Sequence, residues 1–248
     1  MSFELTRLQQ DLVGDGWTVL RHDVARTTTP ANQGGNADVL ALKALIQADY
    51  NADHSNVKAL FLFGHVPIAK SGWLSPDGHF ARPFPTDEYY GDMTGTWTDT
   101  DNDGPSGEPQ SPGNVPGDGI FDQNTFPAPI NLQVGRVDLF NLPDCSKTET
   151  ELLRQYLNKD HNFRNANITA QRRGLVHGIF DFGSEDDGWT NFAAYFGPAI
   201  DTFAGTGVDE VNYWFESLNA NSYLCGYADG PGYYDHCGGI DGNFFRSG

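Results

Sequence analysis

Asp99-Thr100-Asp101-Asn102-Asp103-Gly104 places a carboxylate at every second position and ends on a glycine. That is how a calcium loop opens, with hard oxygen ligands on alternate side chains and no Cβ where the chain must turn sharply. It is not a complete EF-hand, because the twelfth position counted from Asp99 is Gln110 and not Glu. Further ligands must come from elsewhere. Asp118 and Asp122, with Asn124 close by, are the obvious donors. Asp99, Asp101, Asp103, Asp118 and Asp122 are therefore the expected metal ligands, and structural calcium the expected ion. Magnesium keeps more water and uses fewer carboxylates. Nine carboxylates in all (Asp87, Glu88, Asp92, Asp99, Asp101, Asp103, Glu108, Asp118 and Asp122) lie between Arg82 and Arg136 with no Lys or Arg among them. Solvent or a cation must absorb their repulsion. A solvated acidic loop is the plainer alternative, but such a loop has no need of Tyr89, Tyr90, Trp97, Ile120 and Phe121.

Acid–base and nucleophilic chemistry has fewer carriers. The chain contains no GxSxG elbow, HExxH helix, P-loop or GxGxxG fingerprint. His65 follows an apolar run in Phe63-Gly64-His65-Val66-Pro67, and strand ends in an α/β sheet open into the ligand crevice. His79 lies in the loop beyond it. With Trp73, Tyr89 and Tyr90 it forms a candidate recognition surface for protein or glycan. His177 sits inside an apolar strand and reads as a core histidine. His236 and Cys237 are a thiol and an imidazole side by side, the pair of groups that cysteine-based peptide hydrolysis requires. Neighbours on a strand, however, point to opposite faces. Cys225 and Cys237 flank a Gly/Tyr loop and fit either a disulfide or two thiols, and the third cysteine, Cys145, leaves the count odd. A metal-assisted hydrolase using the Asp cluster is a weaker reading.

The elements that would position these groups alternate. Leu5, Leu8 and Leu12 repeat at helical spacing over residues 4–12, and Trp17–Leu20 reads as a strand. Val39, Leu42, Leu45, Ile46 and Tyr50 mark a second helix. Lys58–Gly64 is a short apolar run of the kind found in a strand buried on both faces. From His65 to about Pro129 the periodicity disappears. A loop of that length needs something to order it, and an ion is the natural candidate. Ile130–Val137 alternates as a strand. Ser146 and Glu149 form a capping-box pattern before a helix bearing Leu152, Leu153, Tyr156, Leu157 and Phe163. A strand from Gly174 to Phe180, a helix from Trp189 to Phe203 and a strand from Val208 to Phe215 follow, then an apolar segment from Tyr223 to Tyr227. The pattern predicts a layered α/β fold. Its seam near residues 141–146 separates an N-terminal lobe, 1–143, with the acidic insertion at 65–129, from a C-terminal lobe, 144–248.

With 33 acidic against 15 basic side chains, the formal charge is −18. That field repels phosphate backbones and anionic lipid, which disfavours nucleic acid and membrane surfaces as partners. No apolar run approaches the roughly 20 residues of a membrane span. The first residues lack the layout of a signal peptide. A cytosolic protein and a piece of a longer secreted one are both open, and the Gly-, Asn- and Asp-rich, Lys-poor composition resembles that of exported bacterial proteins, so the expectation is a piece of a secreted or cell-surface protein.

Lys58–Pro67, then Asp77-Gly78-His79, then Thr86-Asp87-Glu88-Tyr89-Tyr90-Gly91-Asp92, then Val134-Gly135-Arg136-Val137 before a long helix together resemble gingipain-type cysteine peptidases. They look more closely like large secreted bacterial relatives of uncharacterised function. The resemblance spans about residues 4–240, through short, Gly-rich motifs. It implies a caspase-like α/β fold, structural calcium, secretion and a peptide substrate. It also implies a His in a Gly-rich loop after one strand and a nucleophilic Cys at the end of the next. By position that loop is Gly226–Gly232, which contains no His, and His236 and Cys237 come after it. The nucleophile's strand falls beyond Gly248. The implied reading is a cysteine-peptidase-like hydrolase with His236 or His65 as base and Cys237 or a residue beyond Gly248 as nucleophile. It is either cut before its nucleophile or has lost the chemistry. The alternative is a non-catalytic, calcium-stabilised module that binds protein or glycan.

Overall fold

The computed structural model describes residues 1–26, 36–75, 80–103, 113–142, 145–178, 200–203, 210–229, 236–237 and 240–241, and it is a mixed α/β chain with small sheets. Two compact units divide it. One is contiguous, Leu20–Phe140. The other joins Met1–Val19 to Asn141–Gly248. The first nineteen residues, expected in the N-terminal lobe, thus belong with the C-terminal part.

Helix α1, Ser2–Gly14, ends where Asp15 caps it and Gly16 turns at φ +95°. The strand expected at Trp17–Leu20 is absent: this stretch has no regular structure, and both end residues are about half exposed. An apolar run without a partner strand gains nothing by extending.

In the contiguous unit, α2, Asn36–Ala52, buries Val39, Leu42 and Ile46, one face of a 3.6-residue repeat. Strands β1, Ala59–Phe63, and β5, Gln133–Val137, pair in parallel from Ala59↔Gln133 to Phe63↔Val137. The expectation that β1 is buried on both faces fails, since Leu62 is buried but Phe61 is 43% exposed. The segment between them is far from structureless. It forms β2, Lys70–Leu74, β3, Arg82–Pro85, and β4, Ile120–Phe121, in the order β3-β2-β4, with a short helix α3, Glu88–Gly91. Strand β2 runs antiparallel to β3 and parallel to β4. Tyr89, Tyr90, Met93 and Phe121 join the α2 face, Leu62, Val66, Ala69 and Leu132 in one core. Apolar burial therefore contributes directly to the order of this segment. At Gly91 the fit is close: a Cβ there would stand 2.7 Å from Val134 Cγ2 and 2.9 Å from the Leu132 carbonyl oxygen.

In the other unit, α4, Glu149–Arg164, starts at a capping box two residues later than predicted. Ser146–Glu149 and Thr148–Glu151 both satisfy the pattern, and the second is used. The Thr148 side chain accepts from Glu151 N–H, and the Glu151 carboxylate accepts from Thr148 N–H at 2.7 Å. Leu153 and Leu157 form its buried face, while Phe163 is 46% exposed. Helix α1 lies alongside α4 through Glu4–Arg154, Arg7–Asn158, Asp11–His161 and Asp15–Arg164. Both sets of numbers rise together, so the two helices run parallel. Strands β6, Gly174–Gly178, and β7, Ile200–Phe203, are parallel, as are β6 and β8, Cys225–Asp229, giving the order β7-β6-β8. Helix α5, Glu210–Ala220, provides the crossover from β7 to β8. Two expectations fail here. Residues 200–203, assigned to the end of a helix, are a strand, and most of the strand expected at Val208–Phe215 is helix. Val211, Trp214, Phe215 and Leu218 carry a helical i, i+3, i+4, i+7 repeat that a run of bulky residues disguises. The rest of the helix expected at Trp189–Phe203 lies outside the described residues. Short strands β9, His236–Cys237, and β10, Ile240–Asp241, pair antiparallel. Among the described residues, no helix is long and apolar enough to cross a membrane.

Candidate functional site

Histidine 65 stands two residues past the end of β1, and Asp138 directly follows β5. Because the strands are parallel and in register, their carboxyl ends bring these two together. Gly64 makes the turn at φ +86°, and its N–H donates to the Val137 carbonyl at 2.8 Å. His65 Nδ1 lies 2.8 Å from Asp138 Oδ2, with both side chains largely buried. A carboxylate only accepts, so Nδ1 carries the proton of this bond. Phe140 stacks on the imidazole with ring centroids 4.0 Å apart and fixes its plane. An imidazole so oriented is equipped as a general base.

Arg136 braces this site. Its Nε and Nη2 grip Asp87 in a bidentate pair at 2.7 and 2.8 Å. Its remaining bonds go to the carbonyls of Val66 and Pro67 at 2.9 and 3.0 Å, immediately after His65. Tyr90 Oη adds a second donor to Pro67 at 2.9 Å. Neither the pairing of His65 with Asp138 nor the bracing by Arg136 was read from the sequence. The only local signal was that both ends of the Arg136 contact lie in segments that carry the family resemblance, Thr86–Asp92 and Val134–Val137.

Tyr89 and Tyr90, expected to line the crevice, are 4% and 0% exposed. That corrects their assignment: they are core residues and present no surface to a substrate. Burial pushes the Tyr89 phenol up to about 12 and the Tyr90 phenol also upward, so both stay neutral. Trp73 is half-buried on β2, its backbone N–H donating to Asn124 Oδ1 at 2.7 Å. His79 lies outside the described residues. A cleft of about 260 Å³ does open nearby, lined chiefly by Leu74, Phe84, Glu88, Trp97, Asn124 and Phe126.

In the acidic segment the carboxylates bind backbone. Asp99 accepts from Gly117 and Gly119 N–H at 2.7 and 2.8 Å, and Asp118 from Val115 and Ile120 N–H. Asp122 accepts from Thr100 N–H and hydroxyl through one oxygen and from Asp101 N–H through the other. Burial raises the Asp122 pKa, but bonds from the Thr98 hydroxyl, the Thr100 and Asp101 N–H groups and the Thr100 hydroxyl outweigh it and hold the group below the usual range. Asp92 is 1% exposed and closes on Thr94 N–H, Gly95 N–H and Trp97 Nε1. Of the nine acids, Asp87 is charge-paired, to Arg136. Among the described residues, no three His, Cys, Asp or Glu side chains gather closely enough to hold a metal by themselves. The donor set is nonetheless all oxygen, as calcium prefers, and it includes one orphaned atom. Asn114 is 0% exposed, and among the described residues its Oδ1 has no hydrogen-bond partner.

His236 and Cys237 form β9 in the discontinuous unit. Cys225, the proposed disulfide partner of Cys237, is a free, exposed thiol, and Cys145 is also free. Compared with protein-family models, curated proteins and solved structures, the chain has no match in any of the three.

Proposed function

We propose that this chain is a hydrolase domain of gingipain-type, caspase-like architecture from a secreted bacterial protein, with His65 as general base and Asp138 as its orienting carboxylate. The reading rests on the 2.8 Å His65–Asp138 bond at the carboxyl ends of a parallel strand pair, where open α/β sheets bind their ligands. Asp138 fixes the tautomer, Phe140 the ring plane, and Arg136 the backbone after His65. Nε2 is left to take a proton from a thiol or a water. The substrate class implied by the family resemblance is a peptide.

The test is hydrolysis of a peptide library by the full chain, followed over pH. His65→Ala is expected to lower kcat about 10²–10⁴-fold, and Asp138→Asn to lower kcat with little change in KM. Wild-type turnover that survives His65→Ala undiminished sinks the assignment.

A second reading, a binding module for peptide or glycan, has one observation in its favour: the aromatic cleft. Phe126 is 57% exposed at its rim, so Phe126→Ala leaves the core intact. On this reading an array finds a ligand whose binding weakens about tenfold in that variant, and no peptide is turned over.

A further inference from the structure

Strand β3 reads Arg82-Pro83-Phe84-Pro85, and it forms one wall of the aromatic cleft. Just past it, Thr86 N–H donates to the Ala69 carbonyl at 2.9 Å. By alternation Phe84 and Arg82 also direct their backbone groups toward β2, and Pro83 and Pro85 direct theirs away. The outer edge of β3 therefore carries no N–H. Strand β2 is paired on both sides, by β3 and by β4. An extended peptide finds no ladder to join at either strand.

What the cleft does present is ring faces and two polar groups with capacity to bond. Phe84, Trp97 and Phe126 line it. Trp97 stands edge-on to Tyr89 and Phe121, with centroids 5.4 and 5.6 Å apart, and its Nε1 donates to Asp92 at 3.0 Å. Its plane is thus fixed and its polar atom committed. Gln123 is bonded at both ends of its amide to Thr98, and the Ser71 hydroxyl to the carbonyls of Phe121 and Gln123. Asn124 is different. Its Oδ1 accepts from the Trp73 backbone N–H at 2.7 Å, which settles which way the amide points, and its Nδ2 has no partner among the described residues. Gly72, at φ +80°, makes room for that amide, since a Cβ there would stand 2.9 Å from Oδ1. The Glu88 carboxylate receives only a 3.3 Å bond from the Thr86 hydroxyl, on Oε2, which leaves Oε1 open.

One pinned donor, one open acceptor and flat apolar walls match a pyranose, whose C–H face lies on a ring while its hydroxyls accept and donate. Glu88 is the one charged side chain among the lining residues, and Arg82 stands 5.2 Å over the Phe84 ring, so the site asks no net charge of its ligand. At about 260 Å³ the cleft is smaller than the roughly 300–1,000 Å³ of sites for drug-sized ligands, which suits a single ring.

We propose that this cleft binds one pyranose of a neutral glycan against Trp97 and Phe126, with Asn124 Nδ2 donating to one hydroxyl and Glu88 Oε1 accepting from another. The site rests on the binding reading of the cleft and stands whether or not His65 acts as a base.

The full chain is probed on an array of neutral oligosaccharides of glucose, galactose, mannose and N-acetylglucosamine, with sulfated and sialylated forms and peptides beside them. A neutral oligosaccharide binds, its anionic forms bind more weakly, and its affinity does not change with salt, because no ion pair is made. Asn124→Asp keeps the acceptor for Trp73 and loses the donor. It melts as the wild type does and binds that glycan at least about tenfold more weakly, as does Phe126→Ala. Peptides bound without any glycan overturn the proposal and leave a binding module standing. An array silent for both classes overturns the two together. Glycan affinity unchanged in Asn124→Asp and Phe126→Ala places the sugar elsewhere and overturns the assignment. Peptide turnover beside glycan binding that both variants weaken upholds the site and removes only the non-catalytic reading.

Discussion

Lysine 43 shows how far a single buried charge reaches. It lies on α2, 9% exposed, and its ammonium donates to the carbonyls of Tyr89 and Asp92, tying α2 to α3. Burial pushes its pKa down to about 8, against the opposing pull of the Asp92 carboxylate. Below pH 8 both folded and unfolded chains hold the proton, and the folded state bears the full desolvation cost. Between about 8 and the usual 10.5 the folded chain releases its proton while the unfolded chain keeps it, so stability rises with pH. Lys43→Met, measured by denaturant unfolding across that window, is expected to abolish the rise. An identical pH slope in the variant rules the account out. His65 is held by one bond to Asp138 and one stacked ring, so point variants of those groups are the sharpest probes of its proposed role.

At the scale of elements, close approach and capping set what is tolerated. α3 packs on β5 with Gly91 at the contact, where no side chain fits between Val134 and the Leu132 carbonyl. Gly91→Ala is expected to destabilise by about 1–3 kcal/mol, read from chemical denaturation, through overpacking of the Tyr89–Tyr90 corner. The start of α4 depends on Thr148, whose hydroxyl and N–H complete the reciprocal box with Glu151. Thr148→Ala costs about 1 kcal/mol, whereas Ser146→Ala, at the pattern's first match, leaves the melting temperature unchanged. The capping motif was legible in the residues, but its register was not, because two overlapping copies satisfy the same chemistry. Helix α5 is hidden in the sequence for a related reason. A bulky apolar run looks like a buried strand until a crossover between parallel strands demands a helix.

For the whole molecule, the division of the chain governs what can be removed. The unit made of Leu20–Phe140 is continuous and holds His65, Asp138, the aromatic cleft and Asn114. The other needs two separated pieces, and Met1–Val19 contributes α1 with its row of charge pairs and the half-buried Leu5, Leu8 and Leu12. Deleting residues 1–19 is expected to remove about 3 kcal/mol from that unit, since exposed pairs contribute about 0.2–1 kcal/mol each and the leucines add apolar burial. Calorimetric melting checks this: the loss should fall on the transition of the discontinuous unit, and an unaltered thermogram contradicts it. Against the net charge of −18, the three local pairs Glu4–Arg154, Asp11–His161 and Asp15–Arg164 also mean that α1 docking weakens with added salt even as overall repulsion is screened.

Composition and spacing by themselves determined the α/β class, helix α2 and strands β1, β5 and β6, and they marked the end of the first apolar strand and the Asp-rich segment as the candidate sites. These are local properties, set by hydrophobic period and by residue type, and they need no partner to be read. The tertiary structure decided what depends on partners. It put Tyr89 and Tyr90 in the core, joined His65 to Asp138 across 73 residues, gave Arg136 its brace, and left Asn114 buried with an unspent oxygen. Such facts arise only when parallel strands bring distant residues into register, because burial and hydrogen bonding are properties of the neighbours a residue acquires and not of its place in the chain.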